Sequence, residues 1–328
     1  MNLPPVFVNN IINAFGESGR RYLADLPDLL SAAAKRWTLT LGEPFLLSYN
    51  YVCAATRSAT SPGLDMLLGL DTLRYSTTSG YSTGGSAQNC VLKIGVPNVE
   101  LTSEINTLRV YNGQGACRLY ESDPEAGMLL LERLRPGEML VTLDDDDRAT
   151  EIAADVMKQT QRPAPTADGF LSLRGWFDGL KDLRPRFGGG TGPFPEKTVD
   201  IVEGMVRELF AEEHPQVLLH GDFHHYNILS SERGWLVIDP KGVIGAPEYD
   251  ACPFLINPIG EIPDEAEAIR RTQRRIAILS ERLGFDRQRV WRWAVCFSLL
   301  SDWWDVPTSG PVGEYSRTWT EIFLKTKV

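Results

Sequence analysis

The sequence predicts an α+β protein in two parts, a small β-rich part followed by a larger, mainly helical one. Three observations predict it. Apolar runs rich in aromatic and β-branched residues, the mark of strands, gather between Phe45 and Glu132. A Pro-Gly connection over residues 133–138 follows them and suits a hinge between two lobes. Towards the end of the chain, residues 264–283, 286–303 and 314–324 read as helices. The expected division gives a lobe of residues 1–134 and a lobe of residues 135–328, and 328 residues are ample for both.

Each element rests on its own pattern. Residues 18–37 place Tyr22, Leu26, Leu29, Leu30 and Ala33 at helical spacing. Residues 45–55 and 91–94 read as strands. Between them lies an insert, about 57–89, with an apolar patch at 64–70 and a Ser/Thr/Gly-rich loop at 76–86. Residues 100–111 read as a helix with Leu101, Ile105 and Leu108 on one face. Residues 118–121 and 128–132 form a hairpin around a turn at 123–127. The acids Asp144 to Asp147 stand where a helix begins, and acids at a helix N-terminus are ordinary dipole partners. Gly188 to Gly190 follow no strand and precede no Lys-Ser or Lys-Thr pair, so they read as a linker. The aromatic residues Trp291, Trp293, Trp303, Trp304 and Trp319 read first as core.

Composition narrows the function. A net charge of −10 argues against nucleic acid as a partner. The first 134 residues carry 10 basic and 12 acidic groups, and the remainder 23 and 31, so the acidity sits in the second part. Such a surface attracts a cationic small molecule. No apolar run reaches the ~18 residues of a membrane span. The N-terminus lacks the pattern of a secretory signal. Five scattered Cys without a CxxC pair indicate reduced thiols and a cytoplasmic location.

The chemistry concentrates in VLLHGDFHHYNILSSERGWLVIDPKGVIGAPEYD, residues 217–250. Phosphoryl transfer needs a carboxylate to orient the acceptor hydroxyl, oxygen ligands for Mg²⁺, and a cation on the nucleotide phosphates. Asp222 and Asn227 have the Asp-x-x-x-x-Asn spacing of a kinase catalytic loop. Twelve residues on, Asp239 ends an apolar strand, where a second metal ligand belongs. His220 reads as a scaffold residue bonded to a backbone carbonyl. His224 and His225 read as scaffold too, because Mg²⁺ prefers oxygen. Lys93 interrupts the apolar strand Val91 to Ile94 and is costly there unless paired or facing an anion. Glu104, eleven residues on and helical, is its expected partner.

These residues carry a resemblance. The segments LSYNYVCAATR (47–57), VLKIGVPNVELTSEINTLRVY (91–111), LLLERLRPG (129–137), RPRFGGGTGPFP (184–195), HGDFHHYNIL (220–229) and VIDPKGVIGAPEYD (237–250) together resemble the aminoglycoside phosphotransferases. They come closest to the branch of aminoglycoside/hydroxyurea resistance kinases that includes streptomycin 6-phosphotransferases. The resemblance implies a protein-kinase-like two-lobed fold and ATP- and Mg²⁺-dependent transfer of the γ-phosphate to a drug hydroxyl. It implies Asp222 as catalytic base, Asn227 and Asp239 as Mg²⁺ ligands, Lys93 on phosphate and Glu104 positioning Lys93. Glu132 to Leu134 would contact adenine through backbone groups. Of the acids Glu248, Asp250, Asp302 and Asp305, Asp250 lies in a matched segment and is the expected acceptor contact. Ser48 to Tyr51 occupy the turn where protein kinases carry Gly-x-Gly-x-x-Gly, as they do in this branch. The insert departs from the family pattern. The expected acceptor is a streptomycin-like aminoglycoside. Another amino sugar, a cyclitol or hydroxyurea, and a nucleotide-binding pseudokinase, remain alternatives. A metallohydrolase, suggested by Gly221 to His225, would need more His and Asp clusters than the chain holds.

Overall fold

The computed structural model describes residues 1, 3–58, 87–166, 168–258, 264–306 and 314–328, with side chains in the last stretch from 319 onward. The body of the insert, with its apolar patch and loop, lies outside the described residues. The chain divides into two compact units, Met1–Leu101 with Leu119–Arg133, and Thr102–Arg118 with Leu134–Val328.

The first unit begins with helix α1 (Pro5–Trp37). It starts thirteen residues before the expected helix and passes a break at Gly16, whose φ of 55° interrupts the helical backbone. Strands β1 (Leu39–Pro44), β2 (Tyr51–Arg57) and β3 (Gln88–Ile94) follow, and strands β4 (Leu119–Asp123) and β5 (Met128–Glu132) complete it; helix α2 (Val99–Tyr111), which intervenes in the chain, belongs to the second unit from Thr102 onward. The five strands form one antiparallel sheet in the order β1-β2-β3-β5-β4. The expected strand at 45–55 is corrected: residues 45–50 are the connection between β1 and β2, with Leu46 98% exposed. Pro44 and the Ser48-Tyr49-Asn50 run favour a turn over a continuous strand.

Alternation in β2 sends Tyr51, Cys53 and Ala55 to the face that α1 covers with Phe7, Ile11, Leu26, Ala33 and Trp37. Tyr22 ties helix to sheet: its hydroxyl donates to Ile94 O at 2.8 Å and accepts from Tyr51 N at 3.3 Å. Arg57 and Gln88, at the two ends of the insert, are cross-strand partners. The turn before β5 needs glycine, because Gly127 has φ +70° and an added Cβ would lie 2.1 Å from Gly95 O.

In the second unit, β6 (Pro136–Met139) precedes α3 (Asp146–Thr160), the two-residue strands β7 (Arg162–Pro163) and β8 (Leu171–Ser172), and α4 (Leu173–Asp178), α5 (Leu183–Arg186) and α6 (Glu196–Ala211). Then come β9 (Val217–Leu219), β10 (Ile228–Ser231), β11 (Gly234–Val237) and β12 (Val243–Gly245). Helices α7 (Ala251–Ile256), α8 (Glu265–Leu283), α9 (Arg287–Trp304) and α10 (Glu314–Lys325) complete it. The expected connection at 133–138 is in part a strand, since β6 pairs with β10. Its proline stands first in the strand, where a missing N–H is tolerated. Strands order as β11-β10-β6 and β7-β9-β12-β8. Asp145, Asp264 and Asp286 each cap a helix by accepting the backbone N–H three residues on. The core gathers aromatic rings around Trp293, which lies 5.3 Å from Phe210 and 5.5 Å from Phe177. All five Cys are buried thiols outside any disulfide. Among the described residues no helix is long and apolar enough to cross a membrane.

The Gly127 turn gives a stability test. Gly127→Ala should lose roughly 2 kcal/mol or more in urea unfolding, since left-handed backbone alone costs an L-residue about 1–2 kcal/mol and the methyl also meets a carbonyl.

Candidate active site

The second unit holds Asp222, Asn227 and Asp239 in one backbone network. Strand β9 ends at Leu219 and the chain turns at Gly221, whose φ is +84°. A Cβ there would lie 2.7 Å from Val243 Cγ2, so the approach requires glycine. His220 is fully buried and holds the turn from inside. Its Nε2 donates to Ile238 O at 2.8 Å and its Nδ1 accepts from Asp222 N at 3.2 Å. This pair of bonds defines the neutral Nε2–H tautomer. Its carbonyl accepts from Lys241 N at 2.7 Å. The scaffold role read for His220 is the one it plays.

Asp222 keeps 39% of its side chain exposed, so the carboxylate reaches solvent while its backbone is fixed. His224 Nε2 stands 3.5 Å from Asp222 Oδ1. A single 3₁₀ turn, His225–Asn227, then delivers Asn227. Its Nδ2 donates to Asp222 O at 3.0 Å, which leaves Oδ1 as the atom to face a cation. Its carbonyl accepts from Ile238 N at 3.0 Å, one residue before Asp239. Asp239 follows the end of β11 with φ +56°, a conformation Asp tolerates better than most residues. An amide oxygen and a carboxylate are hard donors suited to Mg²⁺.

Asp250 is placed differently from the expectation. It is 1% exposed and both carboxylate oxygens are engaged, Oδ2 by His220 N at 2.8 Å and Oδ1 by Gly221 N at 2.7 Å. It braces the loop and presents no free edge to an acceptor. Glu248 is also buried and pairs with Arg289 at 3.2 Å.

Sequence reasoning missed the support beneath the loop. His225 stacks on Phe254, ring centres 4.0 Å apart and 12° from parallel. Arg275, 1% exposed, lies 5.1 Å from the same ring and 3.5 Å from His225 Nε2. Its Nε meets both oxygens of Asp146 at 3.0 and 3.1 Å, and its Nη1 donates to Asn257 O at 2.6 Å. Asp146 therefore does more than serve a helix dipole. An Arg within a helix of many charged residues gives no sequence signal of burial.

The remaining expected residues fall as follows. Lys93 lies in β3, 3% exposed, between cross-strand partners Val52 and Leu129. Glu104 lies on α2 and is 6% exposed. Glu132 closes β5 opposite Cys90, and Leu134 is buried at the start of the second unit's long segment.

Burial sets the titration of the loop's supports. It pushes His220 down to about 4 and His225 to about 2, the latter helped by the nearby Arg275 charge. It pushes Asp250 up to about 7, against the two N–H donors, which favour the carboxylate.

Comparison with known proteins bears on this geometry. The sequence profile of the aminoglycoside/hydroxyurea antibiotic resistance kinases matches residues 81–307. A streptomycin 6-kinase of Streptomyces glaucescens is 30% identical over 312 residues, 93% of this chain and 91% of that protein. A hydroxyurea phosphotransferase of Kitasatospora aureofaciens is 28% identical over 322 residues, 93% and 81% of the two chains. Among solved structures, a choline/ethanolamine kinase family protein from Mesorhizobium loti superposes with a TM-score of 0.58 at 15% identity, covering 94% of this chain and 93% of its own. The fold is thus protein-kinase-like, with a β-sheet unit and a mainly helical unit.

The two buried supports predict opposite pH trends. The unfolded chain protonates His220 near 6.5 and the fold only near 4, so the stability of a neutral His220 is full above 6.5 and lost on acidification. The destabilisation by His220→Gln should therefore shrink by roughly 1.4 kcal/mol per pH unit from about pH 6.5 to about 4.5. Asp250 is raised, so its contribution is full below ~3.9 and is lost as pH rises through about 7. The destabilisation by Asp250→Asn should be largest near pH 4.5 and shrink towards 7. Urea unfolding of both variants across that range checks the two slopes.

Proposed function

This chain belongs to the family of aminoglycoside/hydroxyurea antibiotic resistance kinases, and on that premise we propose that it transfers the γ-phosphate of ATP to a hydroxyl of a streptomycin-like aminoglycoside. The observation that carries the reading is the network joining Asp222, Asn227 and Asp239 through the bonds at Asp222 O and Ile238 N. It supports one exposed carboxylate beside two hard metal donors, the set that phosphoryl transfer needs.

Each residue then has a task. Asp222 accepts the proton of the acceptor hydroxyl and orients its oxygen for attack. Asn227 Oδ1 and Asp239 would hold Mg²⁺, which when bound offsets charge on the nucleotide phosphates. Lys93 contributes the cation for phosphate, with Glu104 positioning it. Glu132 and Leu134 contribute backbone groups to adenine. His220 and Asp250 keep the loop rigid, so the attacking geometry needs little reorganisation.

The likeness to a hydroxyurea phosphotransferase favours a second reading, in which the hydroxyl belongs to a much smaller acceptor. An ATP-consumption screen over aminoglycosides, cyclitols, amino sugars and hydroxyurea separates the two. We expect turnover with streptomycin, and turnover with hydroxyurea alone overturns that choice of acceptor. Asp222→Asn should lower kcat by roughly 10²-fold or more with ATP affinity little changed; near-normal turnover removes the base assignment. Asp239→Asn should weaken Mg²⁺-dependent nucleotide binding, and an unchanged calorimetric titration removes it from the metal site.

A further inference from the structure

The aromatic residues of the second unit divide into two sets. Trp293, Tyr249, Phe177 and Phe297 are buried and form the interior. Trp176 sits half-buried at the margin of that interior, 6.1 Å from Tyr249. Trp304, the last residue of α9, is 49% exposed. The two indoles meet edge to face, centroids 5.3 Å apart and planes at 84°. This geometry fixes the Trp304 ring by its contact with Trp176 while leaving half of its surface open.

The pair stands beside the catalytic loop. A Cβ built on Gly221 would lie 3.2 Å from Trp176 Cη2, and Gly221 directly precedes Asp222. Exposed Asp305 follows Trp304 in the chain. The preceding residue, Trp303, already carries a cation on its ring, with the Arg186 guanidinium 5.5 Å from the centroid. An indole is the best aromatic partner for a cation, and the attraction grows as the pair loses water.

We propose that Trp176 and Trp304 form an acceptor subsite in which the open indole of Trp304 receives a guanidinium or ammonium group of a hydroxylated acceptor presented to Asp222. The inference rests on the phosphotransferase reading for the role of Asp222. The recognition itself does not. Asp222 and Asp305 add negative charge to the neighbourhood and disfavour an anionic acceptor. The opposing charges are Arg186, already on the Trp303 ring, and Lys241, whose Cβ lies 3.1 Å from the same built Gly221 Cβ. They define the rival outcome, an acidic acceptor.

Kinetics and binding test the subsite separately. With streptomycin as acceptor, Trp304→Ala should raise the acceptor KM roughly 5- to 30-fold, the range expected for a partly desolvated cation–π contact. The KM for ATP should stay within about twofold, and Trp304→Phe should recover most of the loss. An unchanged acceptor KM, or an equal rise in both KM values, overturns the proposal. Without nucleotide, methylguanidinium chloride should quench tryptophan fluorescence saturably in the native chain and not in Trp304→Ala. Quenching by acetate in place of methylguanidinium overturns it. If no acceptor is phosphorylated yet Trp304-dependent quenching by methylguanidinium persists, the phosphotransferase reading fails and the cation subsite stands.

Discussion

The second unit's chemistry depends on one buried carboxylate. Asp250 accepts the N–H groups of two successive residues, His220 and Gly221, at 2.8 and 2.7 Å. Two consecutive N–H groups converge on one acceptor only if the backbone bends, and the bend is what gives Gly221 its positive φ. Without that bend Asp222 would continue the direction of β9. Burial resists the ionised form and the two donors favour it, so the clamp is held in a balance that neighbouring charge can tip. Tyr249, buried beside it in the chain, extends this constraint into the aromatic core.

Around that constraint the loop is locked from three sides. His220 joins it to Ile238, Asn227 joins it to the same strand end, and Arg275 with Phe254 supports His225 from below. Asp222 and Asp239, seventeen positions apart in the chain, therefore move as one body. Acceptor recognition, in contrast, falls to surface rings at Trp176 and Trp304, outside this lattice of hydrogen bonds. The arrangement separates what must stay rigid from what can change with the acceptor.

Much of this was legible in the sequence. The spacing of Asp222, Asn227 and Asp239 points to the candidate site because a turn and a strand end are local features with local signatures. The hairpin at 119–132 and helices α8 and α9 read nearly to their ends in the sequence, and the structure shows Asp264 and Asp286 capping the two helices. Four features were not legible. Helix α6 carries only a sparse buried stripe, Val199, Val202 and Leu209, behind a Gly- and Pro-rich run that reads as a linker. The strand β6 exists only through pairing with β10, ninety residues later, which no local pattern reports. The bracing role of Asp250 does not show because a sequence gives an acid and not the direction of its carboxylate. The burial of Arg275 is hidden for the same reason.

A smaller contact has a wider reach. Ser103 Oγ donates to Gly242 O at 2.6 Å, and a Cβ on Gly242 would lie 2.0 Å from Thr107 Oγ1. Ser103 adjoins Glu104, and Gly242 lies three residues past Asp239. The helix bearing Glu104 and the strand end bearing Asp239 thus share a molecular ruler of fixed length. An insertion or deletion of a single residue between 239 and 242, in the short connection from β11 to β12, would put the two carboxylates out of step. Length variation in homologous resistance enzymes should therefore collect elsewhere, and drug-adaptive change should proceed by substitution, not by indel, in this segment.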